Sequence, residues 1–123
     1  MSRVLVIDDE STVGLILRLA LDAKGHDTVV AEDGRSGIEL ALTEHPDAIV
    51  LDLMMPRVNG YDVLDALRGA EEMAGVPIIV LTAVTLSRER DRCLSEGADA
   101  VITKPFDPAD VIDALDGLLL ARR

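Results

Sequence analysis

"VLVIDDES", Val4 to Ser11, carries four apolar residues straight into three acids. The apolar part is short and rich in β-branched side chains, as strands covered on both faces are. The same succession recurs along the chain. The apolar runs are "RVLVI" (3–7), "DTVVA" (27–31), "AIVL" (48–51), "PIIVL" (77–81) and "DAVIT" (99–103). Longer segments of helical period separate them. In the first, Val13, Ile16, Leu17, Ala20 and Leu21 share one face. Ser11 and Asn59 stand where the first and third helices need N-caps, and Asp107-Pro108 offers the last a cap and a first-turn proline. Gly25, Gly75 and Gly97 fall where helices should end. Strand and helix thus alternate five times. This predicts an α/β fold: a doubly wound (βα)5 domain with a five-stranded parallel sheet and helices on both faces. The ligand crevice of such a sheet lies at the C-terminal ends of its strands.

Composition sets the limits. The 123 residues suit one domain, expected over 1–121 with 122–123 as a tail or the start of a linker. Apolar residues make up 49% and aromatics 2%, so the core is aliphatic. The net charge of −11 argues against direct contact with nucleic acid, which needs a basic face, and against an anionic membrane. Cys93, the only cysteine, excludes an internal disulfide and reads as a small apolar helix residue. No signal peptide precedes Val4, and no run approaches the ~20 apolar residues of a membrane span. A cytoplasmic protein is expected.

The polar residues fall on one edge of the sheet. Asp8, Asp9 and Glu10 follow strand 1, Asp52 ends strand 3, Thr82 and Ala83 end strand 4, and Lys104 follows strand 5. Asp8, Asp9 and Asp52 concentrate like charge that a cation would relieve. All-oxygen ligands favour a hard divalent ion, Mg²⁺ first, with Mn²⁺ as an alternative. A carboxylate beside it can act as nucleophile towards a phosphoryl group, and Lys104 and Thr82 can hold that group's other oxygens.

The motifs "VLVIDDE", "VLDLMMPRVNGYDVL", "PIIVLTA" and "GADAVITKPF", in this order over nearly the whole chain, resemble the receiver domain of two-component response regulators, of the chemotaxis-regulator type. The resemblance implies a flavodoxin-like strand order 2-1-3-4-5. It makes Asp52 the phosphoacceptor, with Asp9, Asp52 and the Met54 backbone carbonyl on Mg²⁺ and Asp8 acting through water. Thr82 would contact the phosphoryl group, Lys104 would pair with one of its oxygens, and the Lys104–Pro105 bond would be cis. Pro56 and Gly60 match the loop after the acceptor, where glycine eases a tight turn. The implied partners are a histidine kinase or histidine phosphotransfer protein and a downstream protein or output domain. The implied function is a phosphorylation switch that modifies itself without being a turnover enzyme. An Asp-nucleophile phosphohydrolase of the haloacid dehalogenase type would want an Asp-x-Asp pattern after strand 1, which "IDDES" lacks. A phosphate-independent interaction module would not need the full set of acids, Thr82 and Lys104.

Blander readings apply to other residues. Glu10 could be a fourth ligand, but a first-turn acid favourable to the helix dipole is the expectation; His26 and His45 are expected as surface histidines, and Met54 and Met55 as packing side chains. Thr103 should point away from the site. Leu15 and Leu19, one turn apart and exposed, could receive the phosphodonor. Val101 stands where many similar domains carry a switching Tyr or Phe; a β-branched side chain cannot swing as a ring does. Apolar Met54 and Val84 cannot orient an attacking water, which predicts slow loss of the phosphoryl group. Helix 4 is basic at Arg88, Arg90 and Arg92, and helix 5 acidic at Asp107, Asp110, Asp113 and Asp116. A homodimer through helix 4, strand 5 and helix 5 would pair them.

Overall fold

The computed structural model describes residues 2–83 and 86–122. Five strands form one parallel sheet: β1 (Arg3–Ile7), β2 (Asp27–Ala31), β3 (Ala48–Asp52), β4 (Ile78–Thr82) and β5 (Ala100–Thr103). Their order is β2-β1-β3-β4-β5, as the resemblance implied. The helices are α1 (Ser11–Ala23), α2 (Gly34–Glu44), α3 (Gly60–Gly69), α4 (Ser87–Ser95) and α5 (Pro108–Ala121). Side chains alternate across each strand, so the sheet has two separate cores. Val4, Val6, Val50, Ile79 and Leu81 pack with Leu17 and Leu21 of α1 and with Val111 and Leu115 of α5. Leu5, Ile7, Ile49, Leu51, Ile78 and Val80 pack with Ala41 of α2, Val63, Leu64 and Leu67 of α3, and Cys93 of α4. Every residue of β3 and β4 is buried, whereas the edge strand β2 is only half-covered.

Local signals mostly act as read. Asn59 caps α3 by accepting from the Tyr61 N–H at 2.9 Å, and Asp107 caps α5 by accepting from the Ala109 N–H at 2.9 Å. Gly25 (φ 83°), Gly75 (φ 81°) and Gly97 (φ 115°) take the left-handed conformation beyond helical segments. Gly75 follows a single 3₁₀ turn (Glu71–Met73) rather than α3 itself. Ser11 does not cap α1. Glu10 occupies that position without a side-chain cap, and the turn is made by Asp8, whose Oδ1 accepts the Glu10 N–H at 2.9 Å. A two-residue hairpin (Met54–Met55 with Val58–Asn59) fills the loop between β3 and α3.

Three side chains depart from expectation: those of Ile16, Met54 and His26. Ile16 is 41% exposed instead of joining the α1 core. Met54 is 60% exposed, because the hairpin turns it out while Met55 turns in. Gly60 is demanded by close approach, since a Cβ there would collide with the Leu53 backbone. His26 is no fully exposed residue: its side chain is only 10% exposed, with Nε2 3.1 Å from Asp116 Oδ1 of α5. His45 is exposed, in the left-handed conformation after α2.

Candidate functional site

Parallel register assembles the site. Ile7 pairs with Leu51 across β1 and β3, so the next residues, Asp8 and Asp52, emerge side by side at the sheet edge. The Asp8 N–H is held by Ala31 O at 3.0 Å. On the other side Thr82 pairs with Thr103, and the Lys104 N–H donates to Thr82 O at 2.8 Å. The sheet therefore brings Asp8, Asp52, Thr82 and Lys104 together from four strands. Asp8, Asp52 and Thr82 are all buried. The Lys104–Pro105 bond is cis.

The ammonium of Lys104 is the cation among the acids. It donates to Glu10 Oε1 at 3.0 Å and to Asp8 Oδ2 at 3.2 Å, and lies 3.5 Å from Asp52 Oδ2. Asp52 Oδ1 accepts the Met54 N–H at 3.1 Å, while its Oδ2 is buried without a hydrogen-bond partner among the described residues. Burial pushes the Asp52 carboxyl up to about 6, and the Asp8 charge adds to that rise against the pull of the Met54 N–H and Lys104. Burial alone would lower the Lys104 ammonium, but the hydrogen bond to Glu10 and the charges of Asp52 and Asp8 outweigh it and raise it.

Carboxylate oxygens of Asp8, Glu10 and Asp52 lie within 4.8 Å of one another. All-oxygen chemistry and an orphaned buried oxygen on Asp52 fit a hard divalent cation. Asp9 is exposed and outside this trio, and Glu10, expected as a first-turn acid in preference to a fourth ligand, is near enough to join it but has its Oε1 engaged by Lys104 at 3.0 Å. Sequence reasoning missed the Glu10–Lys104 pair because 94 residues separate the two, and only the strand order joins them. Thr103 is exposed. Val84 lies outside the described residues. Beside the acids, Val13, Ile16, Ala83, Pro105, Phe106 and Pro108 line an apolar cleft of about 530 Å³ that also touches Glu10 and Lys104. Phe106 thus faces α1 and does not replace a ring at Val101, which is buried in the opposite core.

The family model for the response regulator receiver domain matches residues 4–116. The chain belongs to that family. As a receiver domain it is the phosphoacceptor switch of a two-component system. The Synechocystis protein named DNA-binding dual master transcriptional regulator RpaA is 37% identical over 119 residues, 97% of this chain and 49% of that protein. The receiver domain of the Francisella response regulator 1452 matches with a TM-score of 0.93 at 31% identity, covering 100% of both chains. The receiver domain of a Pseudomonas aeruginosa PAO1 sensor histidine kinase, solved with a magnesium ion coordinated in its active site cleft, matches with a TM-score of 0.86 at 28% identity, over 96% and 97% of the two chains. The receiver spans about half the length of the curated relatives it matches. The exclusion of nucleic acid drawn from net charge is therefore withdrawn. It concerned the receiver's own surface, whereas a twice-longer relative is named as DNA-binding. No helix among the described residues is long and apolar enough to cross a membrane.

Proposed function

We propose that Asp52 is the phosphoacceptor and that it takes its phosphoryl group from a phosphohistidine of a kinase or phosphotransfer protein. In that step the P–N bond breaks as a carboxylate oxygen of Asp52 bonds phosphorus. The imidazole leaves with the bonding pair and takes up a proton. The observation that carries this reading is the Asp52 Oδ2 atom, buried and unmatched by a hydrogen bond among the described residues yet 3.5 Å from the Lys104 ammonium. Asp9, Asp52 and the Met54 carbonyl would hold Mg²⁺, with Asp8 acting through water; Mn²⁺ fits the same oxygens. A bound divalent ion supplies neutralisation of the charge that gathers on the phosphoryl oxygens. Lys104 pairs with one of those oxygens, Thr82 contacts another, and the Met54 N–H orients the acceptor carboxylate through Oδ1.

The donor docks over the first turns of α1, where exposed Leu15, Ile16 and Leu19 and the neighbouring apolar cleft offer surface next to the acids. The receiver works in the cytoplasm and controls a DNA-binding output segment or a separate protein, the former supported by its likeness to a relative of twice its length. The test is intact-mass analysis with acetyl phosphate and Mg²⁺. Wild-type protein gains one phosphoryl group, chelation of the metal abolishes the gain, and Asp52→Asn shows none. An undiminished gain in Asp52→Asn overturns the assignment.

A further inference from the structure

We propose that Glu10 parks Lys104 in the unphosphorylated receiver, acting as a counter-anion that must be displaced before the lysine can serve the phosphoryl group. The inference rests on Asp52 being the acceptor. Glu10 is a positioning residue here, acting through Lys104.

Three observations carry it. The shortest contact of the Lys104 ammonium goes to Glu10 at 3.0 Å, and the contact to Asp52 is the longest at 3.5 Å. The lysine is thus drawn off the acceptor, whose Oδ2 stays without a hydrogen bond among the described residues. Next, Glu10 makes no side-chain cap for α1 despite its position there, so Lys104 is the partner that fixes its carboxylate. Finally, the Glu10 side chain is 59% exposed while those of Asp8 and Asp52 are 0% and 1%. Glu10 therefore stands at the mouth of the site, where an anionic donor arrives. A phosphoryl group on Asp52 adds negative charge and competes for Lys104. Glu10 interacts with Lys104 in one state and is left unpaired in the other. That differential contact is what biases an equilibrium. Because the pair is partly exposed, the bias is modest.

The test compares wild type with Glu10→Gln, Lys104→Ala and the double variant. In metal-free protein, the ¹⁵N-resolved side-chain signals of Lys104 shift in Glu10→Gln; unchanged signals overturn the pairing, whether or not Asp52 is the acceptor. With acetyl phosphate, Glu10→Gln gains its phosphoryl group about threefold faster than wild type, the size expected of a partly exposed ion pair. In the Lys104→Ala background the same substitution changes the rate much less, because the coupling runs through the lysine. Equal gains in both backgrounds would mean simple repulsion of the donor by Glu10 and would overturn the parking role. Calorimetric Mg²⁺ affinity stays within about twofold of wild type in Glu10→Gln, since a metal contact would cost more than this partly screened charge. A tenfold loss would make Glu10 a metal ligand and also overturn the proposal. If wild-type protein takes up no phosphoryl group while the Lys104 signals shift as expected, the acceptor assignment fails and the pairing stands.

Discussion

Burial raises the Asp52 carboxyl from 3.8 to about 6, and the neighbouring Asp8 adds to the rise. The folded state therefore binds this proton more tightly than the unfolded chain. The resulting stability is fully present below about 3.8 and is lost as pH rises through about 6. In metal-free urea titrations, Asp52→Asn should remove this falling limb and unfold at higher urea than wild type at pH 7, by on the order of 2 kcal/mol. Identical pH profiles would mean that the carboxyl is not desolvated. Mg²⁺ should narrow the difference by favouring the ionised form. Asp52, Asp8, Thr82 and Lys104 were legible in the sequence because each directly ends or follows an apolar run. Glu10's partner was not legible, because "DDE" does not say which acid will face a lysine contributed by the far strand. Gly60 was read as easing the tight turn after the acceptor; the close approach of the Leu53 backbone, which leaves no room for a Cβ, could not be seen in the sequence.

Helix α4 is lightly anchored. Among its described residues only Cys93 is buried, so polar contacts have to hold it. Tyr61 of α3 supplies several. Its hydroxyl donates to Glu89, the Cys93 Sγ lies 3.8 Å from that oxygen, and the Arg92 guanidinium stacks 3.6 Å over the ring. Arg90 donates to Val101 O at 3.1 Å. Arg68 ties α3 to the turn after α4 through Gly97 O at 2.7 Å and Asp99 at 2.7 Å. Tyr61→Phe keeps the stacked ring but removes the hydroxyl, so it should cost about 1 kcal/mol and speed amide exchange in α4 while leaving α1 unchanged. Unaltered α4 exchange would mean that the hydroxyl does not hold the helix. These ties were hidden in the sequence, where Arg88, Arg90 and Arg92 read as one basic face. Packing turns Arg90 to a strand carbonyl and Arg92 to an aromatic ring, and only Arg88 is left without a partner among the described residues.

At the scale of the whole molecule, five short apolar runs set the strand count, and the order of polar residues at their ends set the functional edge. The hairpin after β3 escaped notice because its two-residue strands carry no periodicity. The charge contrast between α4 and α5 is thinner than the sequence suggests, since Asp107 caps its own helix and Asp116 meets His26. Arg88, Asp110 and Asp113 remain available to a second copy. Sedimentation should therefore show a weak, salt-sensitive dimer that appears on phosphorylation and is lost in Arg88→Glu; a monomer in both phosphorylation states would exclude this pairing. Tyr61 has one more consequence. The chain holds no tryptophan and no second tyrosine, and Phe106 is a weak emitter, so nearly all the ultraviolet emission of the receiver comes from a single phenol. That phenol is hydrogen-bonded to a carboxylate on α4, a partner that accepts its proton and dims the excited ring. Any shift that parts α4 from α3 is thereby written into the protein's own brightness, with no dye attached.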